Sequence, residues 1–169
     1  MELYLGHGFE QTTVAEIAER AGLTERTFFR HFADKREVLF GGASLLQELI
    51  VKTVIGAPEA ATPIEAVTGA LMTAGTVFQK HVKERQRVIN SNVELQAREL
   101  SKLATLASAI EGALHQRGVV GTTASLTAEA GIVVFKIAFE RWLDEPNQRE
   151  WPQLVRAALD DFKAVIVGR

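Results

Sequence analysis

Four prolines, Pro58, Pro63, Pro146 and Pro152, each fall between stretches whose apolar residues recur every three or four positions. Proline cannot continue a helix interior, and a repeat near 3.6 residues is the signature of a helix face. No stretch alternates at two residues as a strand would, so the expected fold class is all-α. Helix starts are marked where Ser, Thr or Asp precedes Glu by three positions, the spacing at which each side chain can take the other's free backbone N–H. Thr13/Glu16, Asp34/Glu37, Thr62/Glu65 and Ser91/Glu94 have it. Pro63 strengthens the third, because a missing N–H costs nothing at the first helical position. Helices are expected near 2–7, 13–21, 25–31, 34–55, 62–84, 92–117, 124–144 and 152–167, with a short extra turn around Arg85–Ile89. The early helices are short and the later ones long, which puts a domain boundary near Gly41–Gly42.

At 169 residues the chain can bury a core without staples, and it has no cysteine for a disulfide, a thiolate nucleophile or a Cys-ligated metal. That usage fits a reducing compartment, so a cytoplasmic location is expected. The most apolar run, Ala130–Phe139, contains Lys136 and is shorter than the ~18 residues that suggest a membrane span. No span, secretion signal or membrane partner is expected. The net charge of −2 favours no class of partner, so nucleic-acid binding has to be argued locally.

Residues 13–32 supply that argument. Ile17, Ala18 and Ala21 give a first helix its apolar stripe, and Gly22 permits the positive φ of a sharp turn. Leu23 is expected to plug the corner, and Thr24 to cap the next helix. Phe28 and Phe32, four apart, turn that helix's apolar side inward. Glu25, Arg26, Thr27, Phe29 and Arg30 remain outward, a short and mostly polar face suited to a DNA groove. Residues 1–42 carry five basic and seven acidic side chains, a net −2, whereas 26–36 carry four basic ones against Asp34 alone, a net +3. The positive field is therefore confined to the proposed DNA face.

The run Gly8–Thr24, followed by Thr27-Phe28-Phe29-Arg30-His31-Phe32 and Asp34-Lys35-Arg36-Glu37-Val38-Leu39, strongly resembles the DNA-binding domain of the TetR family of bacterial transcriptional regulators. The resemblance covers about the first quarter of the chain. It implies a helix-turn-helix DNA-binding domain over 1–42 and a helical ligand-binding and dimerisation domain over 43–169. It also implies a homodimer on palindromic operator DNA, usually a repressor released by a small-molecule effector, with no cofactor. Carried over by position, Thr13 and Thr27 hold phosphates, while Thr24, Glu25 and Arg26 face base edges. Arg26 is the main specificity candidate, since its planar fork matches O6 and N7 of guanine. Lys35 is expected at the next helix's N-terminus, where its charge and the helix dipole act together on a phosphate. His31 matches a phosphate-contacting position, and Arg30 joins the basic cluster. Phe29 stands where the family often has tyrosine, so a hydroxyl that would reach a phosphate is absent. The family's first helix begins well before Glu2, so only about two turns of it fit after Met1. Either residues upstream are omitted or the domain is shortened.

Helix 124–144 sets Glu129, Lys136 and Glu140 on one narrow stripe, and apolar residues cover more than half of its circumference. Such a helix is central in a bundle or shared with a second chain. Helix 152–167 has its own apolar stripe, and together the two can form a four-helix interface in a dimer. The expected dimer residues are Ala130, Val133, Ile137, Arg141, Val155, Leu159 and Phe162. Met72, Phe78, Asn90, Phe135, Phe139 and Trp142 are candidate ligand-binding residues, with Gly69 and Gly75 opening space; each alone reads better as ordinary core packing, and only the resemblance argues for a cavity among them. An enzyme is the competing class, but His7, His31, His81 and His115 are scattered, and no H-E-x-x-H pair, G-x-S-x-G elbow or phosphate-binding glycine loop is present. No catalytic or metal-ligating residue is therefore assigned. The other alternative is a helical dimer that binds a ligand or protein but no longer DNA, through its short first helix.

Overall fold

Residues 1–77, 81–144 and 149–168 are described by a computed structural model, and all their regular structure is helical. The order is α1 (Glu2–His7), α2 (Val14–Arg20), α3 (Glu25–His31), a 3-10 turn (Glu37–Phe40), α4 (Ala43–Ile55), α5 (Pro63–Thr73), a second 3-10 turn (Ala74–Val77), α6 (Val82–Asn90), α7 (Val93–Gln116), α8 (Thr122–Asp144) and α9 (Trp151–Val167). The fold class is all-α, as the prolines and the apolar period require.

Two compact units share these helices. The first joins Met1–Ala43 to Gln79–Ser101, and the second joins Ser44–Phe78 to Lys102–Arg169. The boundary near Gly41–Gly42 ends the first unit's N-terminal run, but that unit also takes in α6 and the first turns of α7, which the sequence reading gave to the second domain. Tyr4, Phe9, Leu39 and Phe40 bury their side chains with Val88, Ile89 and Leu95 from those later helices. In the second unit Ile50, Val54, Val67, Leu71, Ile110, Leu114, Val134, Leu154 and Val155 lie in one core.

Two expected helices are broken. The stretch 34–55 begins as a loop and a 3-10 turn, whose opening amides, those of Arg36 (2.8 Å) and Glu37 (3.2 Å), Asp34 Oδ1 accepts, and α4 starts only after Gly41–Gly42. The stretch 62–84 ends as an α-helix at Thr73. There the Trp151 indole Nε1–H donates to Leu71 O at 2.7 Å, alongside the Ala74 amide, so this carbonyl bonds outside the regular ladder. Thr13 and Thr62 begin their helices as expected, with Glu16 and Glu65 accepting the respective backbone N–H groups at 2.7 and 2.8 Å. Ser91 does not cap; its hydroxyl donates back to Val88 O, and Asn92 Oδ1 takes the Leu95 amide instead.

The runs 37–55 and 122–144 are long and apolar enough to cross a membrane by length and composition, although the sequence reading expected no span. The first is interrupted at Gly41–Gly42, and the second is a core helix that packs on α5 and α9 and buries Ala124, Ala128, Ile132, Val134, Phe135 and Ala138.

Gly75 lies directly beneath Trp151. A Cβ there would sit 2.7 Å from indole Cδ1 and 2.9 Å from Cγ, and the buried ring is tied to Leu71 O. Replacing glycine inside a helical turn by alanine normally gains about 1 kcal/mol. Here Gly75→Ala is expected to cost about 1–3 kcal/mol through overpacking. Urea unfolding followed by tryptophan fluorescence would measure it, and a stability gain would show that the indole is free to move.

Candidate nucleic-acid interface

The helix-turn-helix is assembled from two seven-residue helices whose ends are closed by side chains. In α2 the Glu16 amide donates to Thr13 Oγ1 at 3.2 Å, while the Thr13 hydroxyl donates to Glu16 at 2.8 Å. Thr13's hydroxyl proton is thereby engaged within the protein. Gly22 adopts φ +68°, as the turn requires, and the Leu23 amide reaches Ala18 O at 2.8 Å. Ala18, in the apolar stripe of α2, is buried. Leu23 does not plug the corner; it is 44% exposed, because the turn is closed by that backbone bond and the core space is filled by Phe28, which lies 5.3 Å from the Phe32 ring.

Thr24 caps α3, accepting the Thr27 amide at 3.2 Å, with the two hydroxyls 3.1 Å apart. Glu25, Arg26, Phe29, Arg30 and His31 are exposed along α3. Phe29 is held edge-on against Phe28, and Arg30 lies 3.4 Å from His31 Nε2. Arg26 is exposed and forms no hydrogen bond or ion pair with any described residue. One helix and its cap therefore bring together Thr24, Glu25, Arg26, Thr27, Phe29, Arg30 and His31.

Lys35 is placed differently from expectation. It precedes a 3-10 turn rather than opening an α-helix, and its side chain is turned inward. Nζ donates to Phe9 O at 2.8 Å, Glu10 O at 3.0 Å and Thr12 O at 2.9 Å, and it lies 4.6 Å from the Phe9 ring centroid. An ammonium has three N–H donors, and all three are taken. Arg36 is likewise tied down, with Nε to Asp34 at 3.0 Å and Nη1 to Glu94 at 2.9 Å. Burial acts to raise the Asp34 carboxyl, but the Arg36 side chain and the amides of Glu37 and Arg36 outweigh it and hold the group below the usual carboxylate range. Arg98 pairs with Glu37, and Asn92 donates to Glu10, which fixes the start of α7 to the loops of the same unit. These long-range partners carry no local sequence signal.

Tyr4 supports this unit from its core and carries no local sequence signal of doing so. Its hydroxyl donates to Lys35 O at 2.6 Å, from a ring buried against Phe9. Burial, with the nearby Asp34 charge adding to it, pushes the phenol well above its ordinary 10.0. The raised value favours the neutral form in the folded state. That stability is complete below pH 10 and is lost as pH climbs above it. Alkaline unfolding followed by circular dichroism should therefore begin above pH 10, and Tyr4→Phe should be less stable at pH 7 but lose less on further alkalinisation; an identical alkaline slope in the two proteins would remove the phenol from the account.

In the second unit Phe135 and Phe139 stack at 6.0 Å, Phe139 and Trp142 again at 6.0 Å, and Phe135 meets Trp151 edge-on at 5.7 Å. Met72 packs against the same core. Phe78 lies outside the described residues. Asn90 belongs to the first unit, where its Oδ1 accepts from Gln86 at 3.1 Å. Of the expected dimer residues, Val133 is 45% exposed, and Ala130, Ile137 and Phe162 are half-buried. Arg141 pairs with Asp161 at 2.7 Å. Val155 and Leu159 are 0% and 6% exposed in their own unit's core and offer nothing to a partner; the outward part of α9 is instead Val165 and Ile166.

Residues 1–40 match the family described as bacterial regulatory proteins, tetR family. The HTH-type transcriptional regulator TcmR of Streptomyces glaucescens is 41% identical over 70 residues, covering 41% of this chain and 31% of that protein. The chain thus spans about a third of TcmR's length. A protein named as the mycofactocin biosynthesis transcriptional regulator MftR, from Mycobacterium tuberculosis (strain ATCC 25618 / H37Rv), is 26% identical over 153 residues, covering 87% of this chain and 77% of that protein. Among solved structures, Thermus thermophilus FadR, a TetR-family transcriptional repressor in complex with lauroyl-CoA, aligns with a TM-score of 0.55 at 21% identity, over 95% of this chain and 87% of that one. At that identity the likeness is one of fold. The similar proteins are named as transcriptional regulators.

Proposed function

We propose that this chain, whose first forty residues match the bacterial regulatory proteins of the tetR family, is a ligand-responsive transcriptional regulator, a repressor that binds palindromic operator DNA as a homodimer and is released by a small molecule. One observation carries the reading: α3 presents an exposed, mostly polar face on which Arg26 is bonded to no other described residue, on a helix fixed by the Thr24 cap and the Phe28 anchor. Arg26 reads a base edge, Thr24 and Glu25 lie beside it at the same helix end, and Thr27, Arg30 and His31 flank it on the phosphates. Thr13 takes part at the N-terminus of α2, where a phosphate would compete with Glu16 for its hydroxyl. A cytoplasmic location follows from such a role.

Dimerisation is assigned to the outward apolar stripe of α8, Leu126, Ala130, Val133 and Ile137, together with Phe162, Val165 and Ile166 of α9. These positions recur at helical spacing on faces left exposed or half-exposed. The second unit is the place for an effector, which the lauroyl-CoA held by FadR supports on grounds of shared fold. Release requires only that the effector bind the conformation unsuited to DNA more tightly, by a few kcal/mol.

The test is a salt titration of the 169-residue protein on DNA flanking its own gene, against a scrambled duplex. Specific, salt-steep binding with two protomers per site is expected, and equal affinity for both duplexes would remove the operator-binding reading. Arg26→Ala should lose about 1–3 kcal/mol of discrimination between operator and random DNA. Val133→Asp should convert dimer to monomer in sedimentation with helicity retained; Val133 is the better probe than Ile137, which also packs on its own core.

A further inference from the structure

We infer that Lys35 is the positioning cation of the helix-turn-helix, acting through the backbone of the α1–α2 turn rather than through a DNA phosphate; this rests on the DNA-binding reading above. The turn from Gly8 to Thr13 directs the carbonyls of Phe9, Glu10 and Thr12 toward a single point, and Lys35 Nζ occupies it at 2.8–3.0 Å from each. Three converging carbonyl dipoles repel one another unless a cation or several donors lie between them. The clasp is reciprocal, because Tyr4 on α1 donates to the Lys35 carbonyl at 2.6 Å. Side chain and backbone of one residue thus grip both sides of the turn that delivers Thr13 to the start of α2. The Phe9 ring, 4.6 Å from the ammonium and itself buried, closes the remaining side.

A phosphate contact from this ammonium would have to exchange charge-assisted bonds already made for bonds of the same kind. Positioning requires no such exchange. The two roles predict opposite behaviour under substitution. A phosphate-binding lysine is well replaced by arginine, whereas a guanidinium is a planar fork whose donors cannot converge on three carbonyls as an ammonium's do.

Lys35→Met, Lys35→Arg and the wild-type chain should be compared by thermal unfolding without DNA and by affinity for the flanking duplex across a salt series. Without DNA, Lys35→Met is expected to lower the melting temperature by about 5 °C or more, with faster amide exchange in residues 8–16, and Lys35→Arg is expected not to restore either. On DNA, both variants should bind specifically about tenfold or more weakly, with the slope of log affinity against log salt kept; losing one phosphate contact would reduce that slope by about 0.9. An unchanged melting temperature in Lys35→Met, or full rescue of stability and binding by Lys35→Arg together with a reduced slope in Lys35→Met, overturns the inference. Should Lys35→Met fail to fold, Lys35→Arg decides alone: wild-type melting and affinity overturn the positioning role, and losses in both sustain it. Failure of the wild-type chain to bind any duplex would strike the operator-binding reading, and the DNA-free melting and exchange would still decide the role of Lys35.

Discussion

In a helix of six or seven residues most backbone N–H and C=O groups are end groups, and α1, α2 and α3 are all of that length. Such helices cannot satisfy themselves, so the N-terminal unit depends on side chains that complete the backbone's hydrogen bonding. Thr13 and Glu16 close one helix start, Thr24 another, and Asp34 takes the two amides that open the 3-10 turn. Some carbonyls are met by the amides that follow a helix, as Ala18 O is by Leu23, and others by side-chain donors. Lys35 answers for three of them at once, and Arg85 and Tyr4 each answer for another. The same device recurs in the second unit, where the Arg117 guanidinium donates to the carbonyls of Ala57 and Pro58 and so secures the loop after α4.

What the sequence made legible follows from whether a cause is local. Thr13/Glu16 and Thr62/Glu65 were readable because a cap and its partner lie three residues apart. The left-handed turn at Gly22 was readable because few residues other than glycine adopt that geometry readily. The end of α5 was not readable, because its cause is an indole eighty positions along the chain. Ser91 and Asn92 are adjacent capping residues, and the choice between them depends on where α6 releases the chain.

The candidate site divides along the same line. The exposed face of α3 is a property of one helix and its period, so Arg26, Phe29 and Arg30 emerge where the periodicity puts them. Whether a lysine turns toward solvent or toward the carbonyls of a neighbouring turn is decided by backbone twenty-odd residues away, and Lys35 turned inward. For α9 the periodicity marked the apolar side without dividing it between the unit's own core and a surface. Val155 and Leu159 fell on the inner part and Val165 and Ile166 on the outer, nearer the helix end.

The aromatic inventory has a practical side. The chain's two tryptophans, Trp142 and Trp151, both belong to the second unit, and its single tyrosine, Tyr4, belongs to the first. Trp151 is buried against Phe135 and Gly75, and Tyr4 against Phe9 with its hydroxyl bonded. Indole emission therefore reports on the helical bundle alone, and phenol absorbance on the helix-turn-helix alone. Without any label, each half of this chain carries its own optical channel.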